Sequence, residues 1–202
     1  THSTGRRKVL VFGGGYHGGV ITFAGTPASN AGVNVPHDWV VAIYNDIASV
    51  DAVFEQCGDQ LAAVLVEPLQ GSAGCIPAAI EFLQILRERC DQAGTLLIFD
   101  EVMTSRLSAG GAQELHGVSA DLTTLGKYLA GGFTFGAFGG RRDLMAAFDA
   151  SRGGELGHAG TFNNNVVSMA AGVATLTEVL TPDVLAATNA RGERLRSTLN
   201  DV

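Results

Sequence analysis

Two residues in this chain could do together what neither does alone. Lys127 follows a short apolar run, Leu122–Leu125, and sits among Gly126, Gly131 and Gly132. A lysine amine condenses with carbonyl compounds to a Schiff base when its surroundings favour the uncharged form. The neighbouring glycines leave room for a bulky planar group. Asp100 ends a second apolar run, Leu96–Phe99, 27 residues earlier. A carboxylate beside so much apolar surface is costly unless a partner favours its charged form, and a cationic ring nitrogen would be such a partner.

For these two side chains to meet, their runs must be strands of one sheet. Lys8–Phe12, Val40–Tyr44, Leu61–Val66 and Leu96–Phe99 read as strands, with Leu122–Leu125 and Phe135–Phe138 as weaker candidates. The continuous apolar character of Leu61–Val66 and Leu96–Phe99 is typical of parallel strands buried on both faces. Helical spacing lies between them. Asp46 can cap a helix from Ile47 to about Gln56, with Val50, Val53 and Phe54 on one face. Ile80, Leu83, Leu86 and Cys90 define another, ended by Gly94. Arg141–Phe148 and Val166–Leu180 follow, and Pro182 breaks and restarts the last. The expected class is α/β: one domain over residues 1–202, a mostly parallel central sheet flanked by helices. In such sheets ligands sit beyond the carboxyl ends of the strands. The residues there are Gly13–Gly19, Glu67–Gly74, Asp100–Arg106 and Gly126–Lys127.

Two motifs mislead. Gly13, Gly15 and Gly18 spell the glycine pattern of dinucleotide-binding turns. That pattern needs a continuous helix next, and Gly25, Pro27, Asn30, Gly32 and Pro36 interrupt the segment. Leu96–Glu101 resembles the second nucleotide motif of P-loop ATPases. The companion phosphate loop is missing, since Gly126-Lys127 is followed by Tyr128. Taken alone, Asp100-Glu101 would be a solvated strand end.

Composition narrows the field further. Hydrophobic residues make up 46% and charged residues 16%, which fits a globular chain rather than a disordered one. The net charge of −7 argues against a nucleic-acid surface. No apolar run is long enough to span a bilayer. Cys57, Cys75 and Cys90 are odd in number and too widely spaced for a disulfide framework or a zinc site, and read as three reduced core thiols of a cytoplasmic protein. No metal is expected.

Val66-Glu67-Pro68, Asp100-Glu101-Val102-Met103, Thr124-Leu125-Gly126-Lys127, Gly15-Tyr16-His17-Gly18 and Gly160-Thr161 together resemble the motifs of class III aminotransferases. These are enzymes of fold type I that depend on pyridoxal 5′-phosphate (PLP). The likeness runs along nearly the whole chain. It implies that residues 1–202 form the large PLP-binding domain, incomplete. It implies Lys127 as the lysine that carries PLP and shuttles the substrate proton. Asp100 would pair with the protonated ring nitrogen, Tyr16 would stack on one ring face and Val102 would pack on the other. Glu67 would lie near the ring hydroxyl side, through neighbouring groups. Thr161 would reach the phosphate, in this family usually that of a partner subunit, so a homodimer with shared sites is implied. His17 is either a cofactor contact or a structural part of the glycine-rich turn.

The implied reaction moves an amino group between an amino acid and a keto acid. Gly74-Cys75-Ile76-Pro77 and Asp100–Thr104 resemble the glutamate-1-semialdehyde aminomutases. Ser105-Arg106-Leu107 and Gly160–Asn165 look more like β-amino-acid transaminases, which is the favoured branch. The aminomutase is the alternative, and a non-catalytic fragment is the third reading. Thr1–Arg7 lacks a start methionine, and the helix after Pro182 stops without a cap. A fragment is therefore expected. The family's phosphate-binding Gly/Ser-Thr turn would precede Thr1, and the small domain that often supplies a substrate-binding arginine would follow Val202.

Overall fold

The computed structural model describes residues 1–24 and 34–201. The interruptions expected at Gly25, Pro27, Asn30 and Gly32 lie outside the described residues. Among the described residues there are eight strands: β1 (Lys8–Phe12), β2 (Trp39–Ala42), β3 (Leu61–Val66), β4 (Leu69–Gln70), β5 (Ile76–Pro77), β6 (Leu96–Asp100), β7 (Leu122–Gly126) and β8 (Gly136–Gly140). Six of them form one sheet in the order β2-β1-β3-β6-β7-β8, and β4 and β5 pair separately. All pairings in the large sheet are parallel except β7 with β8, so the mostly parallel sheet expected from the apolar runs is what the chain builds.

The helices sit where capping and periodicity put them. Helix α1 (Ile47–Cys57) starts at Asp46, whose side chain accepts from the Ser49 amide. Helix α2 (Ile80–Ala93) ends at Gly94, which takes the left-handed conformation that favours glycine. One detail differs: Ile80 is half exposed, and Phe82 takes the buried place beside Leu83, Leu86 and Cys90. Position 80 opens the first turn, at the rim of the face that meets the sheet. Further helices are α3 (Gly111–His116), α4 (Arg142–Met145), α5 (Val166–Ala174) and α6 (Pro182–Asn200). The expected helix over 141–148 is α4 continued by a 3-10 turn at Ala146–Phe148, and that over 166–180 is α5 continued by a π-turn at Thr175–Val179. Among the described residues no single helix is long and apolar enough to cross a membrane.

The core lies between the sheet and the α1–α2 pair. Phe12, Val64, Val66, Leu97 and Phe99 from the strands meet Val50, Phe82, Leu83 and Leu86 from the helices. Phe12 and Phe82 pack edge to face at 5.3 Å, and Tyr44 joins both rings. Each fully buried Phe or Leu contributes about 1.5–3 kcal/mol relative to exposure. This packing fixes the strands, and the parallel strands bring their carboxyl ends to one edge. Strand β1 has its next strand in sequence, β2, on one side and β3 on the other. The crevice at that reversal is where open α/β sheets bind ligands.

Candidate active site

Four loops leave the carboxyl ends of β1, β3, β6 and β7 and surround a cavity of about 330 Å³. Its walls include Tyr16 and His17 after β1, Glu67 after β3, Asp100 and Val102 at the end of β6, and Lys127 after β7. Six of the seven expected site residues therefore come together. Thr161 does not: it is exposed, outside this cavity, in the turn before α5.

Asp100 is 9% exposed. One carboxylate oxygen accepts from the Val102 amide at 3.1 Å, and the other lies 2.8 Å from His17 Nδ1. A carboxylate can only accept here, so Nδ1 of His17 carries the proton and donates it. The His17 side chain is 5% exposed, and its engagement with Asp100 is the contact left open between its two expected roles. Burying a carboxylate this deeply requires such partners, and a remaining edge that faces the cavity can take a cationic one.

Glu67 behaves differently. Its carboxylate accepts from the amides of Tyr16 at 2.7 Å and Gly71 at 3.2 Å. Its own carbonyl accepts from the Tyr44 hydroxyl at 2.7 Å. Burial raises its pKa, opposed by the two amide donors and by nearby His17. Glu67 thus ties the loop after β1 to the loop after β3, across the strand-order reversal. Gln70 and Ser72 add bonds to the carbonyls of Gly13 and Gly14.

Glu101, next to Asp100 in sequence, is not the solvated strand end that the dipeptide alone suggests. It is 1% exposed. Its carboxylate collects Thr104 Oγ1, the Ala112 amide, and the amide and side chain of Gln113. Gly111 has a positive φ, and a Cβ there would collide with this carboxylate. Glu101 is therefore an internal anchor that folds the loop after β6 back onto α3.

Lys127 is exposed and takes a left-handed φ of 54°. Among the described residues its amine makes no ion pair or hydrogen bond. It opens a 3-10 turn, Lys127–Ala130, packed beneath α5. Gly18, Met103 and Thr124, which belong to the motifs quoted above, also line it, and so do Ile21 and Leu65, which were not singled out from sequence. Leu65 could have been, since it is a strand residue close to a carboxyl end. Nothing local marks Ile21. The glycine decoy is resolved too: Tyr16 bridges to Thr22 and no helix begins within residues 13–24, so no dinucleotide turn forms.

The cavity has the features a flat cofactor with a basic ring nitrogen requires. It offers an aromatic wall at Tyr16, an aliphatic one at Val102, a buried carboxylate, and a lysine at the rim. Comparison with known proteins agrees. The family model for class-III aminotransferases matches residues 1–202. A β-phenylalanine transaminase of Variovorax paradoxus is 55% identical over 199 residues, 98% of this chain and 45% of that protein. The solved structure of a β-phenylalanine aminotransferase from the same organism superposes with a TM-score of 0.91 at 55% identity, covering 97% of this chain and 45% of that one. A transaminase solved with PLP bound gives 0.77 at 39% identity, over 89% and 45%. A glutamate-1-semialdehyde aminomutase of Pseudomonas aeruginosa gives 0.69 at 28% identity, over 89% and 44%. The chain thus spans a little under half the length of these relatives.

Proposed function

The chain belongs to the class III aminotransferases, and from that premise we propose that it is part of the large domain of a PLP-dependent transaminase that acts on a β-amino acid with a keto acid as acceptor. The observation that carries this is the single cavity that joins Lys127 to Asp100 between Tyr16 and Val102. The β-amino-acid branch rests on the 55% identity to a β-phenylalanine transaminase, against 28% to an aminomutase. The aminomutase remains the alternative reading.

PLP, when bound, supplies an electron sink that acidifies the C–H beside the substrate amine. The chain's residues do the rest. Lys127 Nζ would be the attachment point for the cofactor, and its amine would hold and move the substrate proton. Asp100 would hold a protonated ring nitrogen, with His17 orienting Asp100. Tyr16 and Val102 would hold the ring by apolar contact. Glu67 fixes the loops that carry Tyr16 and Gly71. Thr161, exposed and apart from the cavity, is read as a phosphate contact across a homodimer interface. Free thiols buried at Cys57 and Cys90 suit a cytoplasmic protein, whereas Cys75, expected in the core, is exposed.

The test begins with PLP added to the purified protein. A long-wavelength absorbance band should form, with the cofactor's mass fixed on the Lys127 peptide after borohydride reduction. Lys127→Ala should lose both. A chain that never takes up PLP would favour the reading of a non-catalytic fragment. In the full-length enzyme, amino transfer from β-phenylalanine to a keto acid is expected. Turnover of glutamate 1-semialdehyde with no acceptor would replace the transaminase by the aminomutase.

A further inference from the structure

Lys127 must be presented from a fixed root, because its amine has no partner among the described residues to hold it. The sheet fixes only one side of that root. Strand β7 stays paired with β8 as far as Gly126 with Gly136. On the β6 side the ladder ends earlier, at Asp100 with Thr124 and the Glu101 amide on the Thr124 carbonyl at 3.1 Å. Beyond it the chain turns through Lys127 at φ 54°, a conformation that a side-chain-bearing residue adopts only when its surroundings impose it.

The next residue makes the missing connection. The Tyr128 hydroxyl lies 2.5 Å from Ser105 Oγ, in the loop after β6. Arg106 sits over the Tyr128 ring, 5.6 Å from its centre. Ser105 is itself held: its amide donates to the Glu101 carbonyl at 3.0 Å, and Glu101 is locked by its buried carboxylate contacts. An unbroken path thus runs from the strand end bearing Asp100, through Glu101 and Ser105, to Tyr128 and the turn bearing Lys127.

We infer that Ser105 and Tyr128 are positioning residues that hold the Lys127 turn in register with Asp100, with Arg106 keeping the Tyr128 ring in place. The inference rests on the reading of Lys127 as the PLP-bearing lysine. A reacting amine displaced by an ångström loses rate far more than it loses binding, since the groups still touch their partners but no longer line up for proton transfer.

The experiment uses the full-length enzyme. Tyr128→Phe keeps the ring beneath Arg106 and removes only the hydroxyl. It should lower kcat about tenfold and leave KM within about twofold. PLP attachment to Lys127, followed by absorbance, should slow by a similar factor. The thermal midpoint of the cofactor-free protein should stay within about 2 °C, so that lost stability does not explain the result. Ser105→Ala should reproduce the effect, Ser105→Thr should restore it, and the double variant should be no worse than either single one. Should Tyr128→Phe fail to fold, Ser105→Ala and Ser105→Thr decide the matter alone. Normal attachment and kcat in Tyr128→Phe or Ser105→Ala, or losses that simply add in the double variant, overturn the tie while leaving the cofactor reading intact. A wild-type enzyme that takes up no PLP on Lys127 overturns both.

Discussion

The two ends of the central sheet each bury an aspartate, and they use it in opposite ways. At the amino ends, Asp121 is 6% exposed and surrounded by donors: the Leu97 amide at 2.7 Å, Arg87 at 3.0 Å and Arg141 at 2.9 Å. Arg6 closes the same end on the carbonyls of Leu61 and Ala93. At the carboxyl ends, Asp100 is nearly as buried but, among the described residues, has only an amide and an imidazole, and it faces a cavity. Cavity size does not separate the two ends, for the one lined by Arg6, Arg87, Asp121 and Arg141 is the larger, about 400 Å³. Unfilled bonding capacity does. A carboxylate enclosed by cations serves stability, whereas one held by neutral or weakly basic donors keeps its charge for a ligand.

Exchanging each aspartate for asparagine tests that contrast most directly. Asp100→Asn should lower kcat of the full-length enzyme about 100-fold, the scale of one lost charge-assisted hydrogen bond, with little change in unfolding free energy. Asp121→Asn should do the reverse. Urea unfolding should show a loss of about 2 kcal/mol, below the figure for a fully enclosed pair because Arg141 is half exposed. Its kcat per folded molecule should stay unchanged. A large activity loss in Asp121→Asn would break the division between the two ends.

The smallest effect is one of pH, and its sign differs between the ends. Burial pushes the Asp121 carboxyl up, but the Leu97 amide, Arg141 and Arg87 outweigh it and hold it below its ordinary value. A lowered folded pKa contributes stability that is present above the unfolded value near 3.9 and is lost as pH falls through the folded one. Glu67 is raised, first by burial. Its contribution is full below the unfolded value near 4.3 and is lost as pH rises through the folded one. Urea unfolding from pH 3 to 7 should therefore show Asp121→Asn losing the acid-side slope and Glu67→Gln losing a slope of opposite sign above it. Equal slopes in wild type and Glu67→Gln would remove Glu67 from the account.

Much of this was legible because the strands are apolar runs bounded by glycine, and Asp46 and Gly94 cap helices by local rules. Helix α3 and the β4–β5 hairpin were not. The first is six residues opened by Gly110 without a side-chain cap, and the second pairs only two residues a side. Strand β8 was shifted by one to two residues, because GAFGG has little alternation to set its limits.

From sequence alone the chain disclosed which strand ends carry Lys127, Asp100, Glu67 and Tyr16, because a strand's polar exit is a local pattern. Tertiary structure decided what surrounds each. It put His17 on Asp100 across 83 residues, the Tyr16 amide on Glu67 across 51, and Tyr128 on Ser105 across 23. It enclosed Glu101 while leaving its neighbour Asp100 facing the cavity, and it kept Thr161 out. Identical chemistry one residue apart met opposite fates because a hydrogen-bond partner is a property of the packed loops, not of the segment that carries the carboxylate.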